Sequence, residues 1–195
     1  MASGEKSIAE ILFGITNPSG KIPVSFPQSV GHLPCYYNHL PTDKGYYRKP
    51  GAYGKPGRDY VFSSPDPLWA FGFGMSYTAF SFNNFKIEKN ELTFNDELKV
   101  SIDITNSGKR EGKEVVQLYI RDEYCSVLRP VKELKSFKKV SLSPGETKTA
   151  ELSVTMKDCG YYNNKGAYLL EPGTFKIMVG SASDDIRFEE VVNVK

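Results

Sequence analysis

From about residue 79 to the C-terminus, apolar and polar residues alternate in short runs that predict β-strands. Residues 98–105 alternate strictly, so that one side of the run is apolar and the other is polar. The other runs of this kind contain Phe85 and Ile87; Val116, Leu118 and Ile120; Val140 and Leu142; Ala150, Leu152, Val154 and Met156; Phe175, Ile177 and Val179; and Val192 and Val194. We therefore expect about seven strands, each with one face in water.

Turn-forming residues separate these runs at regular intervals. They lie at residues 106–108, 143–145, 163–166, 171–173 and 180–181. About seven short strands with this spacing predict an immunoglobulin-like or fibronectin type III-like β-sandwich over residues 79–195. The sequence has no Cys…Trp…Cys spacing, so an antibody-type domain is excluded. The predicted fold is mainly β.

Residues 1–30 have a different pattern. Residues 3–14 predict a short helix in which Ile8, Ile11 and Leu12 share one face. Such a short helix is marginal in water by itself, so it needs a partner surface. A turn at residues 17–20 precedes an alternating run at residues 21–27, which predicts an edge strand because its prolines cannot donate hydrogen bonds. One helix and one edge strand cannot form a core, and we interpret residues 1–30 as the end of a larger domain.

Residues 31–78 show no lasting periodicity and predict a long linker rich in proline and tyrosine that wraps over another surface. At its end, aromatic rings alternate with glycines, a composition that suits a packed junction between two segments. We expect Trp69, Phe71, Phe73 and Tyr77 to be buried packing residues at this junction.

The linker tyrosines permit two interpretations. Tyr36, Tyr37, Tyr46 and Tyr47 are candidates for stacking on sugar rings, as exposed substrate-binding platforms. The alternative is that they provide the apolar contacts by which the linker wraps over its neighbour.

The composition limits the classes of partner. The chain has 195 residues and a formal net charge of +2, which is too small to indicate binding to nucleic acid or to an anionic membrane. A lysine cluster, formed by Lys132, Lys135, Lys138 and Lys139, is interpreted as a solvated strand face. No apolar run approaches a membrane span, and residues 1–4 lead directly into a polar helix start, so we expect no signal peptide here.

The residues offer no catalytic or metal-binding pattern. The three cysteines are far apart, and the two histidines lie in one proline-rich loop, so we expect no metal site and no cofactor. Glycoside hydrolysis uses two carboxylates held close together. The paired acids are Asp122–Glu123, Asp184–Asp185 and Glu189–Glu190, and their polar neighbours at strand ends indicate solvated surface.

Several segments, in this order along the chain, resemble the C-terminal portion of glycoside hydrolase family 3. They are residues 9–14, the Asn-Pro-Ser-Gly-Lys-Ile-Pro-Val-Ser-Phe-Pro run at 17–27, the Phe-Gly-Phe-Gly-Met-Ser-Tyr-Thr run at 71–78, residues 114–120, the Arg-Pro-Val-Lys-Glu-Leu-Lys-Ser-Phe run at 129–137, and residues 142–147. The resemblance implies that residues 1–30 are the end of an α/β sandwich domain, that residues 31–78 are a linker and that residues 79–195 are a fibronectin type III-like domain.

The same resemblance has implications for function. Family members are β-glucosidases and β-xylosidases that act on terminal sugars with retention of configuration, and a secreted or periplasmic parent enzyme is implied. The nucleophile Asp and the acid/base Glu belong to the barrel and α/β sandwich domains that precede this region. Neither can be assigned to a residue here, so the chain alone is expected to be inactive.

Three functional hypotheses remain from the sequence. In the first, the chain has a structural role and its partners are the upstream barrel and α/β sandwich domains of a β-glucosidase-like enzyme. In the second, it is a carbohydrate-binding module that uses the tyrosine-rich loop and the positively charged region 129–139. In the third, it is an interaction module that forms a homo-oligomer through its exposed apolar helix and linker.

Overall fold

The computed structural model of the chain describes residues 4–41 and 66–195. These described residues contain one α-helix, α1 (Gly4–Leu12), and short 3₁₀ turns at Val30–His32 and Met156–Cys159. The strands in the described residues are β1 (Phe80–Ile87), β2 (Glu91–Leu92), β3 (Glu97–Asn106), β4 (Gly112–Asp122), β5 (Glu133–Leu142), β6 (Thr147–Thr155), β7 (Tyr161–Tyr162), β8 (Tyr168–Leu169), β9 (Gly173–Gly180) and β10 (Ile186–Val194).

Seven of these strands are long and form a β-sandwich, as the alternating pattern predicted. One sheet has the order β1-β3-β6, and the other has the order β2-β10-β9-β4-β5. Neighbouring strands are antiparallel apart from β2, which pairs with β10 in parallel. Strands β7 and β8, which lie between β6 and β9 along the chain, form a separate two-stranded sheet. The mainly β, fibronectin type III-like fold is confirmed.

The core lies between the inner faces of the two large sheets. In β3, buried side chains alternate with less buried ones along the whole strand, and Val100 and Ile102 lie opposite Leu152 and Ala150 of β6. From the other sheet, Leu118 and Ile177 are among the side chains that complete the core. Apolar burial at period two therefore sets the register of the sandwich.

The expectation of one wet face per strand is wrong for β4 and β9. In β4, Gln117 and Tyr119 are buried although they lie on the face opposite to Leu118, and in β9 Met178 is buried as well as Ile177. The linker covers this outer face, and its Tyr37 contacts the Tyr119 ring edge-on at 5.8 Å between centroids.

Helix α1 is present as predicted, and Gly14 follows it with φ of +71°, the left-handed conformation that commonly ends a helix. None of its residues is buried. Its predicted need for a partner surface is therefore not met by the described part of the chain.

The predicted edge strand at residues 21–27 is only partly formed. Ile22 N donates to Phe73 O at 2.9 Å, and Phe26 N donates to Trp69 O at 2.8 Å, but only Phe26 and Trp69 form a β-bridge. Pro23 and Pro27 lack the N–H that a continuous ladder requires, which explains the interruption.

Candidate inter-domain interface

The turn at residues 17–20 is fixed to the sandwich by the side chain of Asn17. Asn17 Oδ1 accepts hydrogen bonds from Tyr77 N at 2.8 Å and from Ser76 Oγ at 3.1 Å. Asn17 Nδ2 donates to Glu111 O at 2.9 Å, just before β4 begins. One amide therefore joins the first segment, the aromatic–glycine junction and the sandwich.

An ion pair adds a second connection. Lys21 Nζ lies 2.9 Å from Glu114 Oε1, and their side chains are only 15% and 11% exposed. Because Glu114 lies near the start of β4, this pair holds the chain that follows the turn against the five-stranded sheet.

Under the junction lies a buried polar network centred on Gln117. Its Nε2 donates to Ser181 O at 2.5 Å and to Gly72 O at 3.2 Å, while Tyr119 Oη donates to its Oε1 at 2.5 Å. Burial raises the pKa of Tyr119, so the phenol stays protonated and can act as the donor. Gly72 has φ of +82°, and a Cβ there would overlap the Gln117 amide.

Asn106 makes a similar connection at the end of β3. Its Oδ1 accepts from Thr78 Oγ1 at 2.6 Å, and its Nδ2 donates to Arg110 O at 2.7 Å and Leu142 O at 3.0 Å. The residue is fully buried. The point where the linker enters β1 is thus fixed by a satisfied buried amide.

The pattern of apolar and polar positions assigns no role to these polar residues, although Asn17, Lys21, Glu114 and Gln117 lie in segments that carry the family resemblance. A physical signal is a polar residue inside an apolar run, as at Gln117 between Val116 and Leu118. A buried polar side chain in such a run has to find partners, so this signal is physical.

The predicted packing residues are placed unequally. Phe71 and Phe73 are half-buried, and Phe71 stacks on Tyr37 with a centroid distance of 4.1 Å. Trp69 and Tyr77 are 45% and 44% exposed, so the expectation that they are mostly buried is wrong for this chain. The Trp69 ring contacts Phe26 edge-on at 5.4 Å, and the rest of its surface faces outwards.

Exposed apolar side chains continue from the junction onto the first segment. Leu12 and Phe13 are 76% and 84% exposed. The other strongly exposed apolar residues of this segment and the junction are Ile8, Ile15, Val24, Val30, Leu33, Leu68 and Met75. So many exposed apolar residues in one segment are unusual for a monomer and typical of a surface that contacts another protein part.

The candidate sugar-binding tyrosines Tyr36 and Tyr37 line a pocket of about 400 Å³ on the outer face of the five-stranded sheet. Tyr36 is exposed, whereas Tyr37 is half-buried and Tyr37 Oη accepts a hydrogen bond from Leu134 N at 3.2 Å. Tyr46 and Tyr47 lie outside the described residues. The interpretation of Lys132 as a solvated residue is wrong, because it lines this pocket and Lys132 Nζ donates to Ser183 O at 2.6 Å.

The paired acids lie on different parts of the sandwich, although Asp184 and Glu189 line the same pocket as Tyr36 and Tyr37. Asp122 ends β4, whereas Asp184 and Asp185 lie in the β9–β10 turn and Glu189 and Glu190 lie within β10. Burial raises the pKa of Asp122, and hydrogen bonds from Arg187 lower that of Asp185.

Among residues 4–41 and 66–195, no group of three or more His, Cys, Asp or Glu side chains is placed to hold a metal. No helix in the same ranges is long and apolar enough to span a membrane.

Comparison with known families gives two matches. Residues 2–77 match the glycosyl hydrolase family 3 C-terminal domain, and residues 114–183 match the fibronectin type III-like domain.

Curated relatives match almost the whole chain. The periplasmic β-glucosidase of Salmonella typhimurium is 40% identical over 185 residues, which are 94% of this chain and 24% of that protein. A β-xylosidase of Formosa agariphila is 40% identical over 189 residues, 96% of this chain and 25% of that protein. The chain therefore spans about a quarter of the length of the relatives it matches.

Solved structures agree with this match. A β-glucosidase from Erythrobacter marinus superposes with a TM-score of 0.87 at 41% identity, covering 98% of this chain and 24% of that one. The β-glucosidase of Listeria innocua in complex with isofagomine superposes with a TM-score of 0.85 at 36% identity, covering 97% of this chain and 26% of that one.

Proposed function

We propose that this chain has a structural role in an enzyme that hydrolyses terminal β-linked glucosyl or xylosyl residues with retention of configuration. The chain belongs to glycoside hydrolase family 3, and it corresponds to the C-terminal region of the family's enzymes. Its partners are the upstream barrel and α/β sandwich domains of that enzyme. The relatives named β-glucosidase and β-xylosidase support this substrate class. The name of the periplasmic Salmonella relative supports a secreted or periplasmic parent enzyme.

The observation that carries the proposal is the orientation of α1. Tyr77 Oη donates to Ile11 O at 2.6 Å, and Arg110 Nη2 donates to Gly14 O, so the end of the helix is fixed relative to the sandwich. Leu12 and Phe13 nevertheless point away from the described chain. A helix that is held in place while its apolar residues face outwards fits docking onto a neighbouring domain.

Under this proposal the chain stabilises the neighbouring domain and supplies no catalytic residue. The polar connections at Asn17 and Lys21 join the first segment to the sandwich, and Gln117 joins the aromatic–glycine junction to it, so the sandwich supports the domain onto which α1 docks. The sugar subsite and its specificity belong to the upstream domains.

A chimaera tests this role. The C-terminal quarter of the Salmonella β-glucosidase is replaced by this chain, and hydrolysis of an aryl β-glucoside is measured. We expect an active enzyme whose activity or thermal half-life falls when Leu12 and Phe13 are both changed to Ser. The matched control is Glu5→Ser, an exposed polar position of α1 itself. An unaltered Leu12→Ser/Phe13→Ser chimaera would contradict docking through α1.

The purified 195-residue chain provides the complementary assay. We expect no turnover of aryl β-glucosides or β-xylosides. Turnover that is abolished by a carboxylate substitution such as Glu189→Gln would overturn the non-catalytic role.

A further inference from the structure

The linker tyrosines and the positively charged region 129–139, which are far apart in sequence, contribute residues to the same pocket. Tyr36 and Tyr37 come from the linker, and Lys132 comes from the positively charged region before β5, yet all three line the cavity of about 400 Å³. Arg121 of β4 and Lys176 of β9 complete its opposite wall. We propose that this pocket binds a neutral oligosaccharide.

The aromatic wall is organised before any ligand arrives. Tyr37 is stacked on Phe71 with an interplanar angle of 19°, and its hydroxyl is anchored by Leu134 N. The side chain of Tyr36 is 41% exposed. One face of the Tyr37 ring is occupied by Phe71, so the exposed Tyr36 ring is the one that offers apolar surface to the C–H face of a pyranose.

The described residues of the polar wall carry charges of both signs in equal number. The basic ones are Arg121, Lys132 and Lys176, and the acidic ones are Asp66, Asp184 and Glu189. These described charges together favour neither an anion nor a cation. It does offer both donors and acceptors, which is what a hydroxyl group requires because it donates and accepts at once.

The cations on this wall keep donors that a ligand can use. Arg121 Nε lies 3.6 Å from Glu123 Oε1, longer than an ordinary hydrogen bond. Lys176 Nζ lies 4.0 Å from the same oxygen and uses one of its three N–H groups to donate to Glu189 Oε2 at 3.3 Å. Glu123 Oε1 is itself buried and has no hydrogen-bond partner among the described residues. Within the described part of the chain the Arg121 guanidinium forms this ion pair and no hydrogen bond, so its N–H groups can reach sugar oxygens.

The size of the pocket suits a short oligosaccharide. Its volume of about 400 Å³ lies within the range of pockets that bind small ligands. Because Tyr36, Arg121 and Lys176 belong to three different elements, the complete pocket exists only when the linker lies against the sandwich.

Titration calorimetry of the 195-residue chain tests the proposal, with cellobiose, laminaribiose and xylobiose as probes and glucuronic acid as a charged comparison. We expect saturable binding of at least one neutral disaccharide at millimolar concentration and weaker binding of glucuronic acid. Tyr36→Ala should weaken the affinity about tenfold, and Arg121→Gln should also weaken it. The matched control is Tyr162→Ala, which removes an exposed tyrosine of β7 outside the pocket.

Thermal unfolding of each variant shows whether it is folded before its binding is interpreted. Absence of binding by all three disaccharides at millimolar concentration overturns the proposal. Binding that survives both Tyr36→Ala and Arg121→Gln overturns the placement of the site, and equal binding of glucuronic acid overturns the preference for a neutral ligand. Failure of this proposal leaves the chimaera assay unaffected, because that assay depends on α1.

Discussion

Lys21 and Glu114 form an ion pair of 2.9 Å between the first segment of the chain and the sandwich, with both side chains mostly removed from water. They are 93 positions apart in sequence, so the contact forms only when the first segment lies against β4. Because a mostly buried charge is costly without its partner, each residue depends on the other.

We predict that Lys21→Met lowers the free energy of unfolding by about 3 kcal/mol, since it leaves the Glu114 carboxylate without its cation in a mostly buried position. Chemical denaturation followed by circular dichroism measures this change. The double variant Lys21→Met/Glu114→Met should recover most of the loss.

The matched control for this pair is Lys6→Met, which removes the exposed Lys6–Glu10 pair of α1. An exposed ion pair of this type contributes about 0.5 kcal/mol or less. Equal losses for Lys21→Met and Lys6→Met would show that the Lys21–Glu114 pair does not hold the first segment to the sandwich.

Gly72→Ala should destabilise the chain by about 3 kcal/mol or more, because the new methyl group would overlap the Gln117 amide and φ at this position is +82°. Gly145→Ala is the matched control, since its φ is +76° but no atom lies within 4 Å of the added carbon. The control should cost only the backbone strain, about 1 kcal/mol. Similar losses of unfolding free energy in the two variants would mean that the hydrogen bonds of Gln117 rearrange at little cost to accept the new methyl group.

The sandwich could be predicted because its strands carry their own signal. In β3, the alternation of Leu98, Val100, Ile102 and Ile104 with polar residues corresponds directly to the observed alternation of burial. Helix α1 was predictable for a similar reason, since Ile8, Ile11 and Leu12 recur at helical spacing. Local periodicity is sufficient wherever one face of an element is apolar.

The candidate interface was harder to predict because burial there depends on surfaces far away in sequence. Tyr119 and Met178 have the pattern of ordinary strand residues, yet both are buried, and Tyr37 of the linker contacts the Tyr119 ring. Trp69 shows the opposite effect, since its place in an aromatic–glycine run indicated burial but the residue is 45% exposed, with Phe26 edge-on against its ring. Periodicity reports which side chains are apolar and not which neighbour covers them.

Glu171 gives a prediction about pH. Its carboxylate accepts hydrogen bonds from Ser126 Oγ at 2.5 Å and Ser126 N at 2.8 Å, and these lower its pKa from 4.5 to about 2. Because the pKa is lower in the folded state, the stabilisation is present above the unfolded pKa of 4.5 and is lost as the pH falls towards 2. Ser126→Ala should therefore destabilise the chain at neutral pH, and the difference from the parent chain should shrink as the pH falls from 4.5 and vanish only below about 2, where Glu171 is protonated in both states.

Carbon-13 NMR titration of the side-chain carboxyl groups checks this pH prediction directly. The pKa of Glu171 should rise in Ser126→Ala, while that of Asp96, which hydrogen bonds from Thr93 lower, should not move. An unaltered pKa of Glu171 would show that Ser126 Oγ is not the main cause of its low value.

The end of α1 gives the last prediction. Tyr77→Phe removes the hydroxyl that donates to Ile11 O at 2.6 Å, so the helix should open more often. The hydrogen bond contributes about 1 kcal/mol, and amide hydrogen exchange at Phe13 and Ile15 should accelerate about fivefold. The unfolding midpoint of the sandwich should not change, because Tyr77 is half-exposed and lies outside its core.

Tyr168→Phe is the matched control for this change, since it removes a hydrogen bond of the same 2.6 Å length, from Tyr168 Oη to Lys157 O. It should accelerate exchange at Gly160, whose amide donates to the same carbonyl, and leave Phe13 and Ile15 unchanged. If Tyr77→Phe does not affect exchange at Phe13 and Ile15, Arg110 alone holds the helix through Gly14 O. The fixed orientation of α1, on which its docking role depends, would then rest on one side chain instead of two.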